Sequence, residues 1–356
     1  MRHATHQNVS VSDLGAEVTN LPNNNPPFCP VCKEANHSTF LTCKEGYDLY
    51  NCTECLHIFV WPIPTIDALK HVYSFANSYQ VQQRQIYDEN TVISRKTREG
   101  FRQIERFANR GRLLDVGCSS GRFLWLAKRN GWSVCGVELN KDTARIANDN
   151  GLSVSIGELD SADYPPAYFD AIHIGDVVEH VRDPAGFISQ ASIFLKSDGV
   201  MVLVTPNHDA LFPILTFWLH RLLKMPWSHP TPPYHLNQFS EKSLSKLLNH
   251  VNMQVIGKQF RPCNLRYELG ETHVLASVRR ALREHRLTLA AGRFLFAVYS
   301  VLGYVVAYGI DRCCVWKKKD FEMLLVVRKA PCYGESSTST SAVAPDDAGV
   351  KTSSMI

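Results

Sequence analysis

The sequence predicts an α/β protein built on a mostly parallel, doubly wound sheet, with a small cysteine-rich module ahead of it. Three observations carry that expectation. From about Thr91 to Asn207 apolar strand-like runs alternate with helical patterns of about 10–15 residues, the rhythm of right-handed βαβ crossovers. The first of these units, Arg112 to Asn140, reads strand, glycine turn, helix, strand, and closes on an acid. Two C-x-x-C pairs, Cys29/Cys32 and Cys52/Cys55, precede it with 19 residues between them.

A chain of 356 residues is long enough for two domains, or for one domain with appendages. Its 45% hydrophobic and 20% charged residues are globular proportions. A formal charge of +4 is mild and points to neither a nucleic acid nor an acidic partner. The first residues, MRHATHQNVSVSDLG, lack the apolar stretch of a secretory signal. Eleven cysteines, four of them in the two pairs, suggest metal and a reducing compartment, so a cytoplasmic location is expected. Residues 1–26 are polar and 331–356 are low in complexity, and both are expected to be disordered tails.

Taken in order, residues 27–62 read as a zinc ribbon. Four thiolates at Cys29, Cys32, Cys52 and Cys55 close a tetrahedral structural zinc site with no open position. Ser38–Thr42 and Tyr47–Tyr50 supply its hairpin, and Cys43 is a spare thiol expected in packing, not ligation. The main domain follows over 63–330. An amphipathic helix spans about Thr91 to Asn109, with Ile93, Phe101, Ile104 and Phe107 apolar. Arg112–Val116 is the first strand. Gly117 and Gly121 bracket the turn after it, where a ligand can approach backbone that carries no Cβ. A helix from Phe123 ends before Gly131, and Val134–Val137 leads to Glu138, 21 positions after Gly117. A carboxylate at that strand tip can accept both hydroxyls of a ribose. Lys141–Asn150 is helix, Ser153–Ile156 the third strand and Phe169–Ile174 the fourth, with His173 as a packed histidine. Pro184–Leu195 is helix and Val200–Val204 the fifth strand. In such sheets ligands bind beyond the carboxyl ends of the strands, where all these motifs fall.

A dinucleotide loop requires G-x-G-x-x-G, but the three positions here are Gly117, Ser119 and Arg122. The D-x-G-x-x-x-G string of Asp115, Gly117 and Gly121 resembles instead motif I of the class I S-adenosylmethionine-dependent methyltransferases, with Ser119 where most relatives carry glycine. The resemblance implies a Rossmann-like seven-stranded sheet whose last strand, Glu322–Arg328, runs antiparallel between the fifth strand and the sixth, Met253–Phe260. It implies S-adenosylmethionine held by Asp115, Gly117, Cys118, Gly121, Glu138 and Leu139, with Glu158 near the adenine and Asp176 at the fourth strand's end. Pro233–Ser240 and the helix Glu241–Asn249 resemble the H-L-x-x-F-S segment of a bacterial subgroup akin to the ubiquinone-biosynthesis O-methyltransferases. Many members of that subgroup carry a zinc ribbon and modify sugars, polysaccharides or other small acceptors. Between the matched segments lie a lid at 208–232, containing the apolar Leu211–Leu223, and a helical insertion at 263–320. Within the insertion Phe294–Ile310 is uncharged and flanked by basic residues. That pattern suits a peripheral helix on the inner face of a membrane, or equally a buried helix.

Methyl transfer to a hydroxyl needs a base, and His180, His235 and Asp176 stand where one would act. Asp176, Glu179 and His180 are spaced i, i+3, i+4. They resemble the E-x-x-E-H cluster with which ubiquinone O-methyltransferases hold a divalent metal near the acceptor, with Asp for the first Glu. The plainer role for Glu179 is a hydrogen bond within its loop. The sequence therefore predicts O-methylation of a small-molecule or carbohydrate acceptor. A ribosomal RNA methyltransferase and a non-catalytic zinc-ribbon binding protein are the alternatives, and the absence of a clustered basic face argues against nucleic acid. Because the ribbon zinc is read as structural, residues from about 90 onward are expected to bind cofactor alone.

Overall fold

The structure is a computed structural model and describes residues 27–34, 37–65, 68–69, 87–88, 93–223, 231–261, 298, 309 and 320–331. Both tails and almost all of the 263–320 insertion, with its apolar stretch, lie outside the described residues. Among those that are described, no helix is long and apolar enough to cross a membrane.

Seven strands form the central sheet: β4 (Arg112–Val116), β5 (Ser133–Glu138), β6 (Val154–Ile156), β7 (Phe169–Gly175), β8 (Leu195–Pro206), β10 (Met253–Arg261) and β11 (Glu322–Lys329). Their order is β10-β11-β8-β7-β4-β5-β6. All neighbours from β8 to β6 pair in parallel, while β11 runs antiparallel to both β8 and β10, as the resemblance predicts. Leu113, Leu114 and Val116 of β4 are buried because both faces of a parallel sheet are covered. One face carries α1 (Arg95–Phe107), α2 (Arg122–Arg129) and α3 (Lys141–Asp149), whose Phe101, Ile104, Leu124 and Ala144 pack in one cluster. The other carries α4 (Pro184–Phe194) and α6 (Glu241–His250), through Ile188, Ala191, Leu244 and Leu247. Caps fix the helix starts: Ser94 accepts from Thr97 N ahead of α1, and Ser240 forms a reciprocal capping box with Ser243 ahead of α6.

The ribbon hairpin is present as β1 (Ser38–Lys44) and β2 (Tyr47–Cys52), and the module extends beyond it. A third strand, β3 (Ile58–Val60), pairs with β2 on one side and with β9 (Asn237–Gln238) on the other. β9 belongs to the segment ahead of α6, so the ribbon sheet is completed by a strand from 180 residues along the chain. Leu49, Ile58 and Val60 share a cluster with Leu236, and Phe217 of α5 (Leu211–Leu223) packs against it. Both cysteine turns are also tied to α6: His250 Nδ1 donates to Val31 O (3.0 Å) and Lys242 Nζ to Glu54 O (2.7 Å). Cys43 is exposed on the outer hairpin strand, so the expectation that it packs is corrected.

Candidate functional site

The turn after β4 needs backbone that glycine adopts freely. Gly117 has φ +73° and Gly121 φ +86°, and a Cβ on either would collide, with Val177 and with Leu152 respectively. Ser119 also lies in the left-handed region, at φ +50°, which glycine would occupy without strain. Its amide is held: Ser119 N donates to Glu138 Oε2 and Asn140 N to Glu138 Oε1, both at 2.7 Å. One carboxylate thus fastens the glycine turn to the tip of β5. Burial pushes the Glu138 carboxyl up, and the two amides work against that shift. Tyr87 Oη adds a bond of 2.7 Å to Ser120 O from outside the turn.

The other residues expected around a cofactor fall into two groups. Leu139 is exposed beyond β5, and Glu158 is exposed beyond β6, one strand further. Asp115 and Cys118 are instead buried. The Cys118 thiol faces the core beside Gly136, with its pKa raised by burial and by the nearby carboxylates. Asp115 and His173 are register partners across β4 and β7, and His173 Nδ1 lies 2.7 Å from Asp115 Oδ1. His173 is packed as expected, with Phe123 stacked on it at 3.7 Å and 7°, and it also holds the motif's aspartate.

On the far side of the sheet's edge stand the residues expected near an acceptor. Asp176, at φ +54°, follows β7 and forms an ion pair with Lys96 of α1. Lys96 also reaches Glu322 (3.0 Å), which Arg261 binds in turn. Burial opposes the Lys96 charge, but Asp176 and Glu322 outweigh it and hold its pKa above the ordinary value. Asp176 is therefore engaged by Lys96, while its charge still acts on Glu179 and His180. The structure brings together Glu179, His180 and His235, whose ligand-type atoms lie within 4.8 Å of one another.

Glu179 is buried. Its Oε2 accepts from Thr205 Oγ1 of β8 at 2.9 Å, a bond to the neighbouring strand and not within its own loop, and its Oε1 has no hydrogen-bond partner among the described residues. Burial, then the charge of Asp176, raises its pKa to about 8. His180 Nδ1 lies 2.6 Å from Tyr234 O, an acceptor only, so Nδ1 carries the proton and Nε2 the lone pair. That Nε2 is 3.9 Å from Glu179 Oε1, and the His180 and His235 rings meet edge to face at 4.8 Å. Burial lowers the His180 pKa, keeping the ring neutral.

Sequence reasoning missed Lys96, Tyr87, His57 and Asn237. Lys96 left a signal, because it shares a helical stripe with Gly100 and Ile104, both buried. Away from the sheet edge, the four ribbon cysteines are buried, with Cys29–Cys55 and Cys32–Cys52 sulfurs 3.5 Å apart. Four sulfurs so placed fit a tetrahedral metal.

Residues 88–257 match the family model described as a methyltransferase domain. The chain is 28% identical over 176 residues to the ubiquinone biosynthesis O-methyltransferase of Alkalilimnicola ehrlichii, covering 45% of this chain and 68% of that one. It is 28% identical over 174 residues to the enzyme of the same name from Xanthomonas campestris, covering 45% and 70%. An uncharacterized protein of Methanocaldococcus jannaschii is 29% identical over 124 residues, 35% of this chain and 57% of that one. Among solved structures, a SAM-dependent methyltransferase from Archaeoglobus fulgidus aligns with a TM-score of 0.44 at 19% identity, covering 72% of this chain and 99% of that chain.

The burial of Glu179 has a pH signature. Its carboxyl rises from 4.5 when unfolded to about 8 when folded, so its contribution to stability is fully present below the lower value and is lost as pH climbs to the upper one. Glu179→Gln removes this titration. The stability advantage of the variant should grow by about 1.4 kcal/mol per pH unit between these limits and then level off. Urea denaturation of both proteins from acid to mildly alkaline pH checks it, and parallel curves would refute the assignment.

Proposed function

We propose, on the premise that residues 88–257 form a class I S-adenosylmethionine-dependent methyltransferase domain, that the chain methylates an oxygen of a small-molecule or carbohydrate acceptor. The observation that carries the reading is the histidine pair at the end of β7, where a neutral His180 presents its lone pair beside His235. A hydroxyl acceptor must lose its proton as the methyl arrives, and a neutral imidazole suits that task near pH 7. Asp176 is engaged by Lys96 and serves to order the end of the β7 strand. The two relatives named as O-methyltransferases support the choice of oxygen.

The residues present fit the cofactor. The backbone of the turn between Gly117 and Gly121 would receive its amino-acid part, Glu138 its ribose hydroxyls, and Leu139 and Glu158, both exposed beyond their strands, its adenine. Glu138 Oε2 accepts from Ser119 N and Oε1 from Asn140 N, and a carboxylate has about four lone-pair sites, so capacity for a hydroxyl remains. When bound, the cofactor supplies a methyl group activated on a sulfonium. Alignment of the acceptor with it is the protein's task. Asp115 acts through His173 on the turn's approach, and Cys118 contributes backbone only.

A second reading of the acceptor side is favoured by the partnerless Glu179 Oε1, buried and facing His180 Nε2. One carboxylate and two imidazoles suit a divalent transition metal, whose binding would displace the Glu179 proton. The chain's own groups are set for it, because the Tyr234 carbonyl fixes the His180 tautomer as the partners of metal-bound histidines do. At the ribbon, zinc is the metal that four buried sulfurs select.

Three measurements test these assignments. Calorimetry should show S-adenosylhomocysteine binding that Gly117→Arg abolishes and Glu138→Ala weakens by about 1.5–3 kcal/mol, and no binding by the wild type would favour a non-catalytic scaffold. With hydroxyl acceptors, His180→Ala and His235→Ala should each lower kcat by ~10²-fold or more while cofactor affinity holds within a few-fold. Chelators should abolish turnover if the Glu179 metal is used and spare it otherwise; full activity in both variants would shift the acceptor to an amine or carbanion. Metal analysis should find one tightly held zinc per chain, lost in Cys55→Ser, and a metal-free wild type would refute the ribbon.

A further inference from the structure

His57 follows the last ribbon cysteine by two residues and is wholly buried. Its carbonyl accepts the Cys52 amide (2.9 Å), so its backbone closes the second cysteine turn. Its ring leaves the ribbon. It stacks on Phe59 (5.9 Å, 9°), lies against Phe239 (4.7 Å), and places Nε2 3.1 Å from Asn237 Oδ1. The amide orientation of Asn237 follows from its other bond, because Nδ2 donates to Val181 O at 2.8 Å. Asn237 Oδ1 is thus the acceptor, and His57 is the neutral tautomer protonated on Nε2.

Asn237 grips the loop after β7 on both sides of His180. Its side chain takes the carbonyl of Val181, and the amides of Leu236 and Asn237 both donate to the carbonyl of Glu179, at 2.9 and 3.0 Å. His180 lies between these two carbonyls, and its ring is fixed by Tyr234 O from the same segment that carries His235.

We infer that His57 is a positioning residue for the acceptor side of the site, acting through Asn237 to fix the backbone that carries Glu179, His180 and His235. The inference rests on the reading of those three residues as the acceptor side. The ribbon is then part of the reaction site's framework. Its cysteine turn sets His57, His57 sets Asn237, and Asn237 sets the loop, while the glycine turn and Glu138 stand outside this chain of contacts.

Two substitutions in the full-length protein separate the hydrogen bond from the packing. His57→Phe keeps an aromatic ring against Phe239 and removes the donor. His57→Gln keeps a donor at similar reach. In His57→Phe the amides of Leu236 and Asn237 should exchange about tenfold faster, the factor carried by the loss of one hydrogen bond. The nitrogen-15 ring signals of His180 and His235 should shift, and His57→Gln should restore both readouts. Zinc content and S-adenosylhomocysteine affinity should stay within about twofold of wild type in both variants, since neither site uses the ring. Unchanged exchange and unchanged ring signals in His57→Phe would overturn the inference, as would a His57→Gln variant that behaves like His57→Phe. Should His57→Phe fail to fold, Asn237→Ala cuts the same link from the other end without touching the ribbon and must give the same two changes. Wild-type protein that binds no S-adenosylhomocysteine would overturn the proposed function while these exchange data still decide the clamp.

Discussion

The in-register parallel pairing of β4 with β5 and β7 is the constraint on which the site depends. It sends the glycine turn, Glu138 and the Asp176–His180 loop off the same edge of the sheet. It also sets Asp115 beside His173, so the motif's first residue is oriented by the neighbouring strand. With these ends adjacent, a single carboxylate can reach both the turn amide of Ser119 and the amide of Asn140. A slip of β4 by one residue would reverse its faces and separate every one of these groups.

The two sides of the edge use opposite electrostatics. Lys96, Asp176, Glu322 and Arg261 form a charged network in which each group has an oppositely charged partner. A few residues further on, Glu179 is buried with no lysine or arginine ion pair among the described residues, and burial and the charge of Asp176 raise its carboxyl to about 8, against the pull of Lys96. His180 beside it is kept neutral by burial. Proton transfer suits the second environment, because groups held neutral there can accept or release a proton without first breaking an ion pair. The charged network ties α1 to the ends of β7 and β11, and removing Lys96 would cost Asp176 its cation.

What could be read from the sequence follows the range of the contacts involved. Gly117, Gly121 and Glu138 were legible because a turn and a strand tip are local, and glycine is nearly obligatory where φ is positive and a Cβ would collide. The four cysteines were legible because metal ligation constrains their spacing. The antiparallel β11 between β8 and β10 came from the resemblance alone, since nothing local sets the order of strands. Lys96–Asp176 and His57–Asn237 join residues 80 and 180 positions apart, so although helical spacing marks Lys96 as facing the sheet, nothing in the sequence names the partner of either. His173 was half legible: its place in a strand suggested packing, but its bond to Asp115 needed the register. The metal triplet expected at Asp176, Glu179 and His180 rested on helical spacing, and the chain at Asp176 turns into the left-handed region instead.

The pairing of β3 with β9 also bears on how the chain can be divided. Residues from about 90 onward retain the whole parallel sheet, yet cutting there uncovers Phe239, Leu236 and the apolar face of the ribbon-side cluster. β9 would lose the one strand that pairs with it among the described residues and offer free backbone amides at an apolar surface, which is a template for pairing between chains. A shortened chain would therefore be limited by self-association before cofactor binding came into question. Covering this apolar surface is the work of the ribbon strands at 38–60, and replacing the side chains they cover is the route to a separable main domain.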